Sequence, residues 1–409
     1  MKKIYPRWQK KQISQAIDTR RVLLLCGARQ CGKTTLAKEI ADKNTSFRTL
    51  DDLALRQLAE IDPKDFVRTN AKLQIIDEIQ RVPELLSAIK QVVDENSRPG
   101  QYLLTGSANI QSLPNAYESL AGRIRKIRLR PLTQGEIVLS KPDFLNKAFN
   151  KSFSNAKNKY DRRSMIDIAF RGGFPEAISL DERERVLWHR DYMMAILERD
   201  LNEITKISKH QAMQELVHIL AAWSGKLMVI SSIGSTLGIQ RPTLESYINA
   251  LEILYLIDRV PPWIRTDYER VGKQSKLYLC DTGLMTSILK WHKEQVEMDG
   301  DRSGKLIETF IYNELAAQID ASVGQYELFH YRDREKREID FIIERDDQTL
   351  LGIEVKSGSS ISTADFKHLK WFKESIAKQP FIGIVLYAGE AVGSMGDGMF
   401  AVPFGELWD

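Results

Sequence analysis

The sequence predicts an α/β protein with more than one domain. In the N-terminal third, short apolar runs alternate with helical patterns, which is typical of a parallel sheet with crossover helices. After Lys305, a long helical pattern precedes four further strand-like runs, which indicates a second α/β unit. The chain has 409 residues, more than a single hydrophobic core usually spans, so two or three domains are expected.

The individual strands are predicted from runs of apolar residues. The first sheet is expected to contain residues 22–26, 46–50, 73–77 and 102–106. The C-terminal sheet is expected to contain YELFHY, EIDFII, LLGIEVK and PFIGIVLY, with a helix between the last two.

Composition restricts the classes of function. The net charge is only +4, so any nucleic-acid-binding surface is local rather than spread over the molecule. The three cysteines, Cys26, Cys31 and Cys280, are too few for a disulfide framework or a cysteine-based metal cluster, and they favour a reducing cytoplasm. No run approaches eighteen apolar residues, so we expect a soluble, cytoplasmic protein without a membrane partner.

The stretch CGARQCGKTTLAKEIA follows the first predicted strand and opens a helical pattern. It contains G-x-x-x-x-G-K-[ST] at Gly27, Gly32, Lys33 and Thr34, the pattern of a phosphate-binding loop. Glycine lets successive backbone N–H groups turn toward a phosphate, and the following helix presents its positive N-terminus to the anion. We expect Lys33 to contact the β and γ phosphates of ATP and Thr34 to offer its hydroxyl to Mg²⁺. The predicted nucleotide contacts are Gly27, Ala28, Arg29, Gln30, Cys31, Gly32, Lys33, Thr34 and Thr35.

An acidic pair ends the third predicted strand, in LQIIDEIQ. Asp77 is expected to hold the Mg²⁺ shell, and Glu78 is placed to polarise an attacking water. Such a pair after a strand is common on its own. The phosphate loop about 40 residues upstream makes a catalytic role the better interpretation.

Polar residues and an arginine complete the predicted nucleotide site. Thr105, Ser107 and Asn109 end the next strand, and we expect Ser107 to bind the attacking water or sense the γ phosphate. Arg123 follows a glycine at the start of a presumed strand, so it is a candidate to supply transition-state charge in its own chain or to a neighbour. The alternatives are an ordinary polar turn and a solvated basic strand face.

The C-terminal strands carry a second candidate site. Asp340 lies in EIDFII, and Glu354 and Lys356 share one face of the next strand because successive side chains alternate. Glu308 on the preceding helix adds a third carboxylate. We expect Glu308, Asp340 and Glu354 to hold Mg²⁺ and Lys356 to position water for phosphodiester hydrolysis. Because this spacing is common in proteins, a unit that binds without cleaving stays open as the alternative.

Two basic segments are candidates for DNA contact. The first is the start of a predicted recognition helix, with Arg241, Thr243 and Ser246 on its early turns. It carries a single strong cation, and Glu245 would repel a phosphate backbone. A winged helix that serves only as a joint between protein parts is therefore nearly as good an interpretation as DNA contact. The second segment, YRDREKREID, contains Arg332, Arg334, Lys336 and Arg337, but its interleaved acids also fit a solvated hairpin.

Six motifs together resemble one family: GARQCGKTT, IIDEIQRVP, GSAN, LAGR, GGFPEA and RDL. They are similar to a prokaryotic, archaeal-type AAA+ P-loop ATPase family that carries a C-terminal restriction-endonuclease-like domain of unknown function. The resemblance covers almost the whole chain. It implies an ATP site at residues 27–34, Asp77, Glu78 and Ser107.

The C-terminal third resembles the PD-(D/E)XK nuclease fold in its order of helix-Glu, strand-Asp and strand-ExK. The sequence departs from that pattern at one position, since Ile339 precedes Asp340 where the pattern has proline. The resemblance therefore implies the fold more strongly than the cleavage activity.

These observations divide the chain into four expected parts. They are an ATPase domain (1–145), a helical lid or linker (146–222), a winged helix (223–300) and a restriction-endonuclease-like domain (301–409). The winged helix is predicted from two short helical patterns within residues 227–260 and a β-like pair near residues 259–264 and 276–280. Residues 145–163 are polar and are expected to form a linker or an exposed insertion.

Two functions of different class fit the sequence. The first is a Mg²⁺-dependent AAA+ ATPase that acts with DNA and has metal-dependent nuclease activity at its C-terminus. The second is a nucleotide switch whose C-terminal parts serve only for protein docking or oligomerisation. A small-molecule kinase is a weaker third, because no acceptor lid follows the loop. The AAA+ resemblance also implies a homo-oligomer, since such ATPases use a neighbour's arginine.

Overall fold

A computed structural model describes residues 3–107, 120–154, 159–201, 210–265, 274–322 and 325–408. The chain divides into two compact units. The first unit contains Met1–Pro131 and Asn249–Leu256, and the second contains Leu132–Ile248 and Ile257–Asp409. The expected division into four parts is finer than this and stays a prediction.

The first unit is built on a five-stranded parallel sheet with the strand order β2-β3-β4-β1-β5. Its strands are β1 (Val22–Cys26), β2 (Thr45–Thr49), β3 (Leu73–Asp77), β4 (Tyr102–Gly106) and β5 (Ile124–Arg128). The predicted bounds of β1, β3 and β4 are confirmed, and β2 begins one residue earlier than predicted. Because the strands are parallel, their carboxyl ends lie along one edge of the sheet.

The helices that accompany this sheet among the described residues up to Glu95 are α1 (Gln9–Ile17), α2 (Lys33–Ile40), α3 (Leu53–Ile61), α4 (Pro63–Val67) and α5 (Leu85–Glu95). Helix α3 begins at an Asp52 cap, whose carboxylate accepts from the first free N–H groups of the helix. The core between helices and sheet is apolar, with Ile13, Leu36, Ile75 and Leu103 completely buried. Burial of each such side chain contributes roughly 1.5–3 kcal/mol.

The second unit begins with helical structure. The described α-helices between the first sheet and the C-terminal sheet are α6 (Gln134–Ile137), α7 (Phe144–Asn150), α8 (Arg162–Arg171), α9 (Glu182–Ala195), α10 (His210–Ala222), α11 (Ile230–Leu237), α12 (Arg241–Ile253, whose last residues belong to the first unit), α13 (Thr282–Ile288), α14 (Lys293–Met298) and α15 (Gly300–Ala321). Among the described residues, no helix is both long and apolar enough to cross a membrane.

Helix α7 corrects the expectation of a linker at residues 145–163. Its residues Phe144, Leu145, Ala148 and Phe149 are buried. The apolar side chains recur at intervals of three and four residues and therefore form one helical stripe. The abundance of lysine and asparagine on the opposite face hid this stripe from a judgement based on composition.

A small antiparallel sheet of order β6-β8-β7 is formed by one strand between α10 and α11 and two strands after α12. It consists of β6 (Lys226–Leu227), β7 (Ile257–Val260) and β8 (Lys276–Leu279). The predicted β pair is therefore present, although β7 is shorter and earlier than expected. Helix, helix and antiparallel pair occur in the order of a winged helix, and the winged helix itself stays a prediction.

The C-terminal sheet has six strands in the order β13-β14-β12-β11-β10-β9. They are β9 (Tyr326–Arg332), β10 (Glu338–Arg345), β11 (Leu350–Lys356), β12 (Phe381–Tyr387), β13 (Gly393–Ser394) and β14 (Met399–Pro403). Strands β9, β10 and β11 pair antiparallel, whereas β11 and β12 pair parallel across helix α16 (Lys367–Ser375). The four predicted strands and the predicted helix are thus present, and a bulge interrupts the β9–β10 register between Ile339 and Ile342.

Candidate functional site

The predicted phosphate loop runs from the end of β1 to the start of α2. Gly27 has a φ angle of +154°, and a Cβ atom there would lie 2.0 Å from the carbonyl oxygen of Leu129. Only glycine fits this close approach. Gly32 caps α2 with a φ angle of +103° in the left-handed region, which turns the chain into the helix. The two glycines therefore have different structural roles: Gly27 permits the close approach of Leu129, and Gly32 permits the left-handed turn into α2.

Lys33 is the first residue of α2 and is 4% exposed. Its Nζ donates to the carbonyl oxygens of Gly27 (3.1 Å) and Ala28 (2.9 Å). These bonds place the ammonium group inside the curve of the loop. The positive end of the helix dipole lies at the same point, so the loop combines two favourable terms for a phosphate.

Asp77 connects three strand ends at the carboxyl edge of the sheet. Its carboxylate accepts from Thr34 Oγ1 (3.0 Å), Thr105 Oγ1 (2.6 Å) and Thr49 Oγ1 (3.3 Å). Asp77 is 2% exposed, so its carboxylate has lost most of its hydrogen bonds to water. The three hydroxyl groups compensate for this loss. A hydroxyl and a carboxylate are hard oxygen ligands of the kind that Mg²⁺ prefers, so Thr34 and Asp77 fit this ion.

Glu78 and Ser107 meet beside Asp77, as predicted, and Gln80 joins them. The Gln80 side-chain amide donates to Glu78 Oε2 and, at 3.0 Å, to Ser107 Oγ. Ser107 Oγ lies 3.4 Å from Glu78 Oε2. The Glu78 N–H donates to Thr105 Oγ1, and its φ angle of 58° is left-handed, which few side chains adopt without support.

Gln80 was missed from the sequence, although it stands two residues after Glu78 in the same motif. The signal was its position, but a glutamine carries no charge and no metal-ligand preference that would single it out. Asn109, the third polar residue predicted at this strand end, lies outside the described residues.

Arg7 also supports the loop and was not predicted. It is 8% exposed, and its guanidinium donates to the carbonyl oxygens of Cys31 (2.8 Å) and Arg130 (2.6 Å). Cys31 itself is buried, and its Sγ lies 3.4 Å from the Leu129 carbonyl oxygen. The side chain of Cys31 therefore packs away from the inside of the loop, which explains why a cysteine is tolerated there.

Arg123 lies elsewhere, which corrects the expectation that it acts on its own chain's loop. In the parallel register, Val22 pairs with Ile124 and Cys26 with Arg128. Arg123 therefore precedes the amino end of β5, whereas the loop follows the carboxyl end of β1. Its guanidinium forms a two-pronged ion pair with Asp94, with Nε at 2.5 Å and Nη2 at 3.0 Å, and lowers the pKa of that carboxyl group. Action on a neighbouring copy stays a prediction.

The predicted C-terminal carboxylates also come together, within the second unit, around a residue that the sequence did not reveal. Lys276 in β8 has a side chain that is 1% exposed. Its Nζ lies 2.7 Å from Glu338 Oε1, 3.0 Å from Glu308 Oε1 and 3.5 Å from Asp340 Oδ1. Tyr278 lies two residues after Lys276 in β8 and therefore on the same face of the strand. Its hydroxyl donates to the same Glu308 oxygen at 2.7 Å.

The remaining members of the cluster lie on β10 and β11. Asp340 stands at the bulge of β10 and accepts from the Val355 N–H at 2.9 Å. Glu354 is 8% exposed, and its Oε1 is buried without a hydrogen-bond partner among the described residues. Lys356 lies 4.0 Å from both Glu354 Oε2 and Asp365 Oδ1, and its side chain is 40% exposed.

Burial and the shared charges perturb the pKa values of this cluster. Burial raises the pKa of Glu308 to about 7, against the opposing effect of Lys276, and Asp340 adds to the rise. Burial and the neighbouring Asp340 raise the pKa of Glu354 well above its usual value. Burial alone would lower the pKa of Lys276, but the charges of Glu308 and its neighbours raise it well above normal. Lys276 is therefore a charged ammonium group within the carboxylates.

A Mg²⁺ site at Glu308, Asp340 and Glu354 does not fit this arrangement. The ammonium of Lys276 contacts two of the three carboxylates that the ion would need, those of Glu308 and Asp340. In the described part of the chain, no group of three or more His, Cys, Asp or Glu residues is placed to hold a metal ion. The three acids are neighbours as the sequence predicted, but the expectation that they bind metal is not supported.

Each of the two basic segments has part of its positive charge paired with an acid of the same segment. Arg241 forms an exposed ion pair with Glu245 one turn later, with Nε to Oε1 at 2.8 Å. Arg337 pairs with Asp333 and Glu335, and its guanidinium lies 3.8 Å from the centre of the Trp371 ring. These pairs reduce the local positive potential that a phosphate backbone would meet.

Comparison with known protein families finds a match for the sheet of the first unit. The family described as AAA domain matches residues 19–138. This match supports a P-loop ATPase domain of the AAA type. Two further families, described as domains of unknown function, match residues 162–295 (DUF8612) and 303–407 (DUF4143).

Similar proteins cover most of the chain. A protein of Mycobacterium tuberculosis described as uncharacterized is 25% identical over 399 residues, which cover 97% of this chain and 83% of that protein. The Walker-type ATPase of Pyrococcus abyssi aligns at 15% identity over 70% of this chain and 96% of that chain, with a TM-score of 0.45. The RuvB branch migration motor of Thermotoga maritima aligns at 23% identity over 62% and 88%, with a TM-score of 0.28. Similarity at this level carries no information about substrates or partners.

Proposed function

We propose that the protein is a Mg²⁺-dependent ATPase of the AAA class. The observation that carries the proposal is the convergence at one sheet edge of the loop ammonium of Lys33, the Thr34–Asp77 pair and the Glu78–Gln80–Ser107 group. These groups supply a phosphate cradle, hard oxygen ligands and a base with polar support, which are the parts that phosphoryl transfer to water requires.

Each of these residues has a separate task in the proposed reaction. Lys33 and the N-terminus of α2 hold the negative phosphates. Thr34 and Asp77 would hold Mg²⁺, which when bound neutralises phosphate charge and orients the chain of phosphates. Glu78 accepts the proton of the attacking water, and Gln80 and Ser107 fix the orientation of its carboxylate.

The experiment that tests this proposal is phosphate release from ATP by the purified chain, with and without Mg²⁺. Retention of ATP is measured separately by equilibrium dialysis. We expect binding and Mg²⁺-dependent turnover. A chain that retains no ATP at millimolar concentration in the presence of Mg²⁺ would refute the proposal, because a phosphate loop of this geometry should bind at that level.

For the second unit we propose a winged helix and a nuclease-like fold that serve as a docking module, with DNA as a candidate partner. The succession of helices and antiparallel strands from α10 to β8 supports the winged helix. The element order α15, β9, β10, β11, α16, β12 supports the nuclease-like fold. The internal cation at Lys276 favours docking over cleavage. Duplex DNA that left ATP turnover unchanged, and that failed to bind in a gel-shift assay, would contradict the DNA partner.

We also propose a homo-oligomer in which Arg123 acts on a neighbouring copy. Arg123 is about one-third exposed and carries its charge on the surface of the first unit, at the end of the sheet away from its own loop. If this holds, ATP turnover per chain rises with protein concentration, and Arg123→Ala removes the rise. Turnover that is independent of concentration in both proteins would contradict it.

A further inference from the structure

We propose that the ammonium group of Lys276 is the resident cation of the carboxylate cluster in the second unit, in the position of a divalent metal ion. The cluster is defined by Glu308, Glu338, Asp340 and Glu354. It follows that the second unit does not use a metal ion at this place and does not cleave phosphodiesters there. This inference concerns the second unit alone and does not depend on ATP hydrolysis.

The geometry gives the ammonium group a carboxylate oxygen for each of its N–H donors. A lysine ammonium has three N–H donors, and three carboxylate oxygens from separate residues lie 2.7, 3.0 and 3.5 Å from Nζ. The two shorter distances lie within the usual range of an N–H···O hydrogen bond, and the third is at its outer limit. The carboxylates of Glu308, Glu338 and Asp340 therefore surround the ammonium group of Lys276.

Burial makes this assignment specific. A charged lysine whose side chain is 1% exposed is very costly unless its charge is compensated, and the three acids that contact it have side chains that are 16%, 18% and 30% exposed. The acids come from α15, β10 and β11, and the lysine comes from β8, so the cation and its partners belong to different secondary structure elements. A chance surface ion pair would not gather one cation and several acids from four elements in a buried place.

A metal ion and this ammonium group exclude each other. A divalent ion bound to the same oxygens would lie within a few Å of Nζ, and like charges at that distance in a buried environment repel strongly. The lysine also has the advantage of covalent attachment, because its effective concentration at the cluster is independent of the ions in solution. Replacement of Lys276 by an uncharged side chain of similar length should therefore open the position to a metal ion.

The test counts bound Mn²⁺ per chain by electron paramagnetic resonance in nucleotide-free protein. We compare the wild type, Lys276→Met, the control Lys356→Met and the double variant Lys276→Met/Asp340→Asn. Lys356 is the matched control because it neighbours the same cluster but is 40% exposed and lies outside its centre. Lys276→Met should bind one Mn²⁺ more than the wild type, Lys356→Met should equal the wild type, and the double variant should lose the gain.

Thermal unfolding gives a second measurement. Lys276→Met should have a lower Tm than the wild type, since acids are left without their cation, and Mn²⁺ should raise that Tm by more than it raises the Tm of the wild type or of Lys356→Met. A folded Lys276→Met that gains no Mn²⁺ would overturn the proposal.

The wild-type protein decides the matter if Lys276→Met does not fold. Equal Mn²⁺ binding by the wild type and Asp340→Asn supports an internal cation. Binding that Asp340→Asn removes shows a metal ion at the cluster and overturns the proposal. Plasmid nicking by the wild type with Mg²⁺ or Mn²⁺, lost in Asp340→Ala, would overturn it as well, whereas an absence of nicking in both agrees with it.

Discussion

The hydroxyl of Thr34 lies 3.0 Å from the carboxylate of Asp77, although 43 residues separate them in the chain. The two side chains meet because β1 and β3 end at the same edge of a parallel sheet, with β4 between them. The helix that starts with Lys33 presents Thr34 in its first turn, and β3 presents Asp77 as its last residue. This contact is the structural basis for the predictions about nucleotide chemistry.

Lys33→Ala should reduce ATP turnover by about 10²-fold or more, because it removes the positive charge inside the phosphate loop. Lys38→Ala is the matched control, since Lys38 lies on the same helix and is exposed. Phosphate release measures both, and circular dichroism confirms that both fold. Comparable turnover in the two variants would show that the loop does not hold the phosphates.

Glu78→Gln should retain ATP binding and lose about 10²–10⁴-fold in turnover, because glutamine cannot accept the proton of water. Glu84→Gln, which changes an exposed glutamate nearby, should behave as the wild type. Binding is measured by dialysis and turnover by phosphate release. If turnover survives in Glu78→Gln, the proton has another acceptor.

Arg7→Met should lower the unfolding free energy of the first unit by about 1.5–3 kcal/mol, because two buried carbonyl groups lose a charged donor. Arg20→Met, at an exposed position, should have little effect. We further expect a higher KM for ATP in Arg7→Met, since the loop carbonyl of Cys31 loses its anchor. Equal stability of the two variants would show that Arg7 is dispensable for the loop.

His189 should make the protein less stable in acid. Burial lowers the pKa of His189 to about 3, and the charge of Arg185 adds to this effect. The side chain is 1% exposed and contacts Ser287 Oγ at 2.8 Å. In the unfolded chain the pKa is about 6.5, so the unfolded state binds more protons between these values. The contribution is therefore fully present above pH 6.5 and falls by about 1.4 kcal/mol per unit as the pH drops toward 3.

The measurement is urea unfolding at pH 7.5 and pH 5. Between these values the wild type should lose about 2 kcal/mol from this residue, and His189→Leu should lack that part of the loss. His292→Leu serves as the control because His292 is exposed. Identical pH dependence in the wild type and His189→Leu would show that the imidazole does not stay neutral in the folded protein.

The sequence predicted local features well. Strands such as Val22–Cys26 are short runs of apolar residues, and the loop motif after them fixes its own position between strand and helix. The meeting of Lys33, Asp77 and Ser107 followed from one rule, that parallel strands end together. Helix α7 was missed because composition outweighed a buried stripe that spans only seven residues.

Other features depend on contacts between distant segments. Lys276 contacts acids that are 32, 62 and 64 positions further along the chain. No spacing of residues in the sequence predicts contacts between such distant positions. Arg123 was given a role in its own chain's site because its position relative to the sheet was unknown. Only the pairing of Val22 with Ile124 shows that it lies at the far edge.

The close approach of Gly27 to Leu129 has a consequence for the thermodynamics of ligand capture. The Leu129 N–H donates to the Cys26 carbonyl at 2.7 Å, and Arg7 restrains the other end of the loop through Cys31. A loop that is preorganised in this way gives up little conformational entropy when a triphosphate arrives. The free energy of nucleotide binding should therefore come mainly from favourable enthalpy and from the attraction between the loop's positive charge and the phosphates. The entropy lost by ordering the loop should be small.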